Sequence, residues 1–170
     1  MSADINGSGA IIGHACGRLK ADINGSGDIV FGNVAENAEL SINGSGRIRI
    51  ASANTALARI NGSGDIDTGT NRNATIRLTG SGNIKTVMDG GDYNVKTLGE
   101  GGITVSGEAQ TFYCGLQGNE TTVLDGKELS VENADIHSKG EVQIFLKAIR
   151  RGSIEKIRPG GMLTVGKRGE

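Results

Sequence analysis

A five-residue motif, Ile-Asn-Gly-Ser-Gly, recurs along the chain and constrains the fold more than any other feature of the sequence. It occupies residues 5–9, 23–27, 42–46 and 60–64, and a divergent copy, Leu-Thr-Gly-Ser-Gly, occupies residues 78–82. Successive copies begin 18, 19, 18 and 18 residues apart. A constant period of this length is typical of solenoid proteins, in which each repeat buries its apolar face against its neighbours.

The residues around each motif predict two strands joined by a turn. Apolar and polar residues alternate before the motif, as at Leu19, Ala21 and Ile23, and a period of two is typical of a strand with one buried face. Gly-Ser-Gly predicts the turn, because glycine adopts positive φ without steric cost. An isoleucine two residues after every copy predicts a second inward-facing strand. These isoleucines are Ile11, Ile29, Ile48, Ile66 and Ile84.

The third stretch of each repeat is irregular, and this bears on the handedness of the solenoid. A left-handed β-helix of hexapeptides has coils of similar length but needs an aliphatic residue at every sixth position on three equal sides. Ala35 fits this rule weakly, and Asn54 and Arg72 break it. The sequence therefore predicts an all-β, single-stranded, right-handed parallel β-helix, and it counts against a hexapeptide acyltransferase.

The repeat decays toward the C-terminus but does not stop. We predict a single β-helix domain over residues 1–170, with regular Gly-Ser-Gly coils in residues 1–85 and degenerate coils in residues 86–170. About nine coils of 18–20 residues account for the whole length. Apolar residues alternate within residues 142–151, which favours a strand over a helix there.

Composition and charge exclude several classes of protein. Aromatic residues make up only 3% of the chain, and the net charge is −1 with an excess of basic residues from Lys139 onward. We interpret this basic end as a solvated surface rather than a nucleic-acid site, because no aromatic residues are interleaved with it. No apolar run is long enough to span a membrane. The N-terminal residues carry no secretory signal, which predicts either a cytoplasmic protein or a chain trimmed to its mature part.

The two cysteines are predicted to be unpaired. Cys16 and Cys114 lie about five coils apart, or roughly 20–25 Å at the spacing of stacked strands. A disulfide spans only about 4.4–6.8 Å between Cα atoms. Both are predicted to be small buried hydrophobic residues. His14 and Cys16 have no further ligand nearby, so we expect neither a metal nor a cofactor.

Two rows of polar residues recur within the motif itself. Stacked coils place equivalent residues above one another, so the asparagines are predicted to form an amide ladder and the serines a parallel row. Both rows are interpreted as structural turn ladders. Their members are Asn6, Asn24, Asn43 and Asn61, and Ser8, Ser26, Ser45, Ser63 and Ser81.

Charged residues beside the motif are the better candidates for binding. The position just before the motif aliphatic changes from acidic to basic along the chain and ends in Arg59, Arg77 and Lys96. Stacked like charges are unfavourable unless an anion intervenes. We therefore predict that these residues, with Arg47 and Arg49, contact an acidic glycan or another surface protein.

A catalytic site is not predicted. Asp65, Asp67 and Asp89 with Arg47 and Lys85 would resemble the carboxylate and basic cluster of a β-helix polysaccharide lyase. No spacing singles these residues out, and the low aromatic content removes the usual platforms for stacking sugars. We expect the protein not to be an enzyme.

The recurring unit apolar-x-Gly-Ser-Gly-x-Ile, at residues 22–29, 41–48, 59–66 and 77–84, resembles the head GIN domain family of auto-transporter adhesins. The resemblance implies a right-handed parallel β-helix, a location outside the cytoplasm of bacteria and no established catalytic residues. It predicts a non-catalytic module at the cell surface or in the periplasm.

Two alternatives remain open at this point. A cytoskeletal β-helix polymer of the bactofilin kind would fit the missing signal, because bare helix ends expose strand edges and favour end or side stacking into homo-oligomers. A polysaccharide-degrading enzyme on the same fold is the second alternative.

Overall fold

The computed structural model describes residues 1–118, 122–157 and 161–166, and of residues 152–157 it describes the backbone alone. Every regular element in these ranges is a β-strand. The strands are β1 (Ser2–Gly7), β2 (Ala10–Ile12), β3 (Leu19–Gly25), β4 (Asp28–Gly44), β5 (Arg47–Gly62), β6 (Asp65–Gly80), β7 (Asn83–Asp89), β8 (Asp92–Gly99), β9 (Gly102–Gln117), β10 (Thr122–Lys139), β11 (Val142–Ile157) and β12 (Gly161–Val165).

The strands pair in parallel, each with the equivalent strand of the next coil. The motif isoleucines are in register, with Ile5 beside Ile23, Ile23 beside Ile42 and Ile42 beside Ile60. The strands form one twelve-stranded sheet that winds through about eight turns. The predicted parallel β-helix is confirmed, and its number of turns is close to the nine coils expected. The strand predicted within residues 142–151 is also confirmed, because it lies inside β11.

Each coil has three sides, which we name by their position relative to the motif. The motif side carries the strand that enters Gly-Ser-Gly, and the second side carries the strand that leaves it. The third side closes the coil. The motif side contains residues 19–25, 38–44, 56–62, 74–80 and 93–99; the second side 28–30, 47–49, 65–67, 83–85 and 102–104; and the third side 33–34, 52–53, 70–71 and 87–88.

The core is a stack of aliphatic rows from the motif and second sides. Ile23, Ile42 and Ile48 are completely buried. Full burial of such side chains stabilises a fold by about 1.5–3 kcal/mol each. In the later coils the stacked rings of Tyr93 and Phe112, with centroids 5.4 Å apart, replace the small alanines of the earlier coils.

The first glycine of each motif is required by its backbone conformation. Gly62 has φ +137°, a region that other residues rarely adopt. A Cβ at this position would also collide with the carbonyl oxygen of Gly44 in the preceding coil. That oxygen accepts a hydrogen bond from the Ser63 amide at 3.0 Å, so the corner of one coil is tied to the corner before it.

From the second copy onward, the second glycine of the motif is required by packing. A Cβ on Gly64 would lie 2.5 Å from the carbonyl oxygen of Gly46 and 2.8 Å from Cγ2 of Ile42, the motif isoleucine of the preceding coil. The corner therefore lies directly against the aliphatic row. Gly9 occupies the same motif position in the first coil, and a Cβ there would meet nothing within 4 Å.

A polar cluster interrupts the apolar interior, which the sequence analysis did not predict. Thr68, Asn71 and Thr86 are at most 1% exposed. The Thr68 hydroxyl donates to Oγ1 of Thr86 at 2.8 Å, and Nδ2 of Asn71 donates to Oγ1 of Thr68 at 2.7 Å. These hydrogen bonds satisfy the two hydroxyls and the amide nitrogen, which lowers the cost of burying them, whereas Oδ1 of Asn71 is buried without a partner among the described residues.

The cysteines are both free, as predicted, but only one is fully buried. Cys114 is completely buried, whereas Cys16 is buried in part, so the prediction for Cys16 was wrong in this respect. Cys16 lies on the third side, where it forms a single bridge to Val34 instead of a continuous strand. Burial raises the pKa of the Cys114 thiol well above its ordinary value, because the thiolate would be desolvated.

Part of the predicted basic C-terminal end lies outside the described residues. Arg158, Lys167 and Arg168 belong to this part.

Replacing Gly64 by alanine is expected to destabilise the fold by about 1–3 kcal/mol, because the new methyl group overpacks against Ile42. Gly9→Ala is the matched control and should change the free energy of unfolding by only a few tenths of a kcal/mol. Urea denaturation followed by circular dichroism measures both. Equal losses for the two variants would contradict the packing role of the second glycine.

The two thiols are expected to react at different rates with a thiol-specific reagent at neutral pH. Cys16 should react in the native protein, and Cys114 only as fast as the protein unfolds, because its thiolate is suppressed by burial. A Cys16→Ser variant should show no native reaction. Rapid native labelling of that variant would show that the core opens at Cys114.

Candidate functional site

Three cations predicted from the sequence lie in one line on the motif side. Arg59 is in register with Arg77, and Arg77 with Lys96. Neighbouring strands are about 4.8 Å apart, so each cation is one coil above the last. We call Arg59, Arg77 and Lys96 the basic row.

The three charges of the basic row are neutralised to different degrees. Nη1 of Arg59 lies 3.8 Å from Oε1 of Glu39, and both side chains are about half exposed. Within the described part of the chain, no carboxylate oxygen lies within 4.0 Å of the charged nitrogens of Arg77 or Lys96. The row thus has one cation in a loose pair and two without an acidic partner.

The same line of positions is acidic toward the N-terminus. Asp4, Asp22 and Ser41 precede Arg59 in register. Nζ of Lys20 lies 3.0 Å from Oδ2 of Asp22, and this hydrogen bond and the carboxylate charge raise the pKa of Lys20. This line of outward positions therefore changes from acidic in the first coils to basic in the later ones.

Arg47 and Arg49 do not join the basic row. Both lie on the second side, across the Gly-Ser-Gly corner from the motif side. Nη2 of Arg47 is 3.9 Å from Oδ2 of Asp65, and Arg49 is in register with Asp67. The five residues predicted as a binding group therefore belong to two separate faces.

The carboxylates considered for catalysis are also divided. Asp65 and Asp67 lie on the second side, next to Arg47 and Lys85 in register. Asp89 lines a groove on the third side instead. In the described ranges, no group of three or more His, Cys, Asp or Glu residues is arranged to hold a metal ion.

The asparagine row forms a strip of amides on the motif side that shares one coil with the basic row, where Asn61 lies beside Arg59. Nδ2 of Asn24 donates to Oδ1 of Asn6 at 3.3 Å, and Nδ2 of Asn43 donates to Oδ1 of Asn24 at 3.1 Å. Asn61 follows in register, and Thr79 takes the next position. These side chains are exposed, so the strip is part of the outer surface of the motif side.

The serine row lies at the exposed corner between the motif and second sides. The serine amides, rather than their hydroxyls, tie successive corners together by donating to glycine carbonyls of the preceding coil at 2.9–3.0 Å. The residues with such amides are Ser26, Ser45, Ser63 and Ser81. Ser8 begins the row in the first coil.

A notch that was not predicted from the sequence lies where the basic row ends. Gly115 follows Lys96 in register, and His137 follows Gly115. The missing side chain leaves a cavity of about 460 Å³ between these two residues. The alternation of Phe112, Cys114 and Leu116 fixes the register of Gly115, so continuing the row past Lys96 in the sequence would have located it. We call the cavity the Gly115 notch; its lining includes Lys96, Gly115, Gln117, His137 and Lys139.

The third side carries a longer groove of about 740 Å³. Its lining is mostly small and polar and contains charges of both signs. Among the lining residues are Asn33, Ser52, Thr70, Arg72, Asp89, Glu108 and Glu132. No aromatic side chain of the described residues lines this groove, so it lacks a platform for stacking sugar rings.

Together these observations define a parallel β-solenoid with polar and charged ladders on its outer faces. The family model described as "Putative auto-transporter adhesin, head GIN domain" matches residues 1–71 and again residues 67–155, and the chain belongs to this family. The resemblance stated from the sequence is thereby confirmed. The two matches meet inside β6 (Asp65–Gly80), so they follow one another along a continuous sheet.

No curated protein and no solved structure matches the chain significantly. The part of the chain that the structure describes contains no helix long and apolar enough to cross a bilayer.

Neutralising Arg77 is expected to stabilise the fold slightly, whereas neutralising Arg47 should destabilise it slightly. Arg77 has like charges on either side and Arg47 has Asp65 beside it, and exposed charge pairs contribute about 0–1 kcal/mol. The variants Arg77→Gln and Arg47→Gln are compared by urea denaturation at low salt. Their opposite effects should shrink at high salt, since exposed charges are screened. Effects of the same sign would show that the basic row carries no repulsion.

Proposed function

We propose that this chain is a non-catalytic binding module that contacts an acidic polysaccharide through the basic row. The observation that supports the proposal is the register of Arg59, Arg77 and Lys96 on one flat face, with two of the three cations lacking an acidic partner among the described residues. An anionic polymer lying along the solenoid would place successive carboxylates or sulfates beside successive coils. Each contact then relieves the repulsion between neighbouring cations.

Several weak contacts are needed for useful affinity. A single exposed ion pair contributes only about 0–1 kcal/mol, so no one residue of the row would hold a ligand. A polymer with repeated charges engages the three cations together, and later contacts benefit from the high local concentration created by the first. The amide of Asn61 lies beside Arg59 in the same coil and offers a donor and an acceptor to sugar hydroxyls.

Membership of the adhesin head family supports a place for this module outside the cytoplasm, at the cell surface or in the periplasm. It likewise supports contact with a glycan or surface protein over self-assembly into a cytoskeletal polymer. Binding of a glycan is favoured over its degradation because the candidate catalytic carboxylates lie on different sides of the coil.

Polygalacturonate is expected to bind the wild-type chain with an affinity that falls as salt is added, because the contacts are exposed charges. The double variant Arg59→Ser/Arg77→Ser should weaken binding by about tenfold, which corresponds to about 1.4 kcal/mol. Biolayer interferometry on immobilised polymer measures this directly.

The controls separate the basic row from net charge. Lys85→Ser/Lys127→Ser removes the same charge away from the motif side and should bind nearly as the wild type does. The variant Arg47→Ser/Arg49→Ser removes two cations from the second side and tests whether the polymer binds there instead. Unchanged binding by the Arg59/Arg77 variant, or a larger loss in the Arg47/Arg49 variant, would contradict the proposal. Release of unsaturated uronates would favour the degrading enzyme, and concentration-dependent filaments in electron micrographs would favour the polymer.

A further inference from the structure

We propose that the Gly115 notch is a discrete binding site for a single carboxylated sugar residue. The site lies on the motif side at the end of the basic row. It differs from the row in being concave and in having an aromatic ring at its edge.

The absence of one side chain creates the site. Gly115 stands in register between Lys96 and His137, so a row of outward side chains is interrupted for one coil. The resulting cavity of about 460 Å³ lies within the roughly 300–1,000 Å³ typical of small-molecule pockets. A Cβ on Gly115 would have its nearest contact at 3.8 Å, from Cγ of Lys96, so packing does not require glycine here.

The walls of the notch supply positive charge. Lys96 and Lys139 are exposed lysines on either side of the gap. No carboxylate of the described residues lies within 4.0 Å of the Lys96 ammonium. A carboxylate is thus the group that best complements the site, since ammonium groups pair with it through charge-assisted hydrogen bonds.

The side chains of Gln117 and His137 in the lining, and the Tyr113 ring at the edge, distinguish the notch from a simple anion site. The Tyr113 ring centroid lies 5.8 Å from Nζ of Lys96 and 6.0 Å from the ring centroid of His137. A Cβ on Gly115 would be 3.9 Å from Cε1 of Tyr113, so the ring stands directly beside the gap. Tyr113 is half-buried, and its ring supports Lys96 and His137, which both line the notch.

The remaining groups suit hydroxyls. Nδ1 of His137 lies 3.2 Å from Oδ1 of Asp135, and both side chains are a little over 40% exposed. The His137 ring nitrogens and the Gln117 amide line the notch and supply hydrogen-bond donors and acceptors. A small inorganic anion would use the lysines alone. A hexuronate uses the lysines through its carboxylate and the His137 and Gln117 side chains through its hydroxyls.

This inference rests on the proposed function only through Lys96, which belongs to both the basic row and the notch. The notch would recognise a sugar unit of the polymer that the row attracts. The two proposals are nevertheless tested by different ligands and different variants.

The test is a titration of the ¹⁵N-labelled full chain with sodium D-galacturonate, followed by amide chemical shifts. Saturable shifts are expected at Gly115 and Leu116. Gly115→Val should fill the notch and weaken binding by at least about tenfold. Ser41→Val is the matched control, because it places the same side chain in the same row four coils away, and its affinity should equal that of the wild type. The spectrum of each variant also shows whether it folds.

Further ligands and variants separate the contributions. Methyl galactopyranoside lacks the carboxylate and should bind at least about tenfold more weakly than galacturonate. Tyr113→Phe keeps the ring and should bind like the wild type, whereas Tyr113→Ser should not.

Three results would overturn the proposal: no saturable shifts in the wild type, unchanged affinity in Gly115→Val, or equal shifts and affinity with sodium acetate, which would show an anion site without sugar recognition. Galacturonate binding that is lost in Gly115→Val supports the notch even if polygalacturonate fails to bind the basic row. Polymer binding through the row with none of these shifts would leave the proposed function standing and remove the notch.

Discussion

The close stacking of glycine corners is the contact on which the rest of this structure depends. The first glycine of each motif allows a backbone conformation closed to other residues, and the second lets the corner approach the isoleucine of the preceding coil. The amide of the motif serine then donates a hydrogen bond to a glycine carbonyl one coil earlier, and so does the amide of the residue after the second glycine. With the corners fixed in this way, the strands on both sides are brought into parallel register. The aliphatic rows follow from that register, and so do the outward ladders.

The outward positions are free of this constraint, and they are where the coils differ. The corner and the motif isoleucine hardly change from coil to coil in the first half, whereas one outward line changes from Asp22 through Ser41 to Arg59. Such a change costs little stability because exposed charge pairs contribute little. The fold thus separates the residues that hold the coils together from those that meet a ligand. Membership of an adhesin head family is in keeping with a scaffold of this kind.

Much of the fold could be predicted from the sequence because both the motif and the spacing of its flanking aliphatic residues are local and periodic. The register of Ile23 with Ile42, and of Arg59 with Arg77, followed directly from an 18–19-residue period. The buried cluster around Asn71 could not be found this way, since it depends on the third side, which has no pattern. Arg47 and Arg59 lie on different sides of the coil because the Gly-Ser-Gly corner bends the chain between these two strands. The Gly115 notch could not be predicted from a motif, because it arises where one residue of an outward row has no side chain.

The buried polar cluster has a consequence for how the chain finds its native pairing. Such similar motifs could pair one coil out of step, with Ile42 against Leu78, and bury almost the same aliphatic surface. Thr68, Asn71 and Thr86 occur together only once among the described coils, and their hydrogen bonds join one particular pair of neighbours. A chain slipped in this way would separate Thr86 from Thr68 and Asn71 and bury its hydroxyl without a partner, at a cost of about 1–3 kcal/mol. In a molecule built from repeats, this irregular cluster therefore disfavours any pairing that separates these two neighbouring coils.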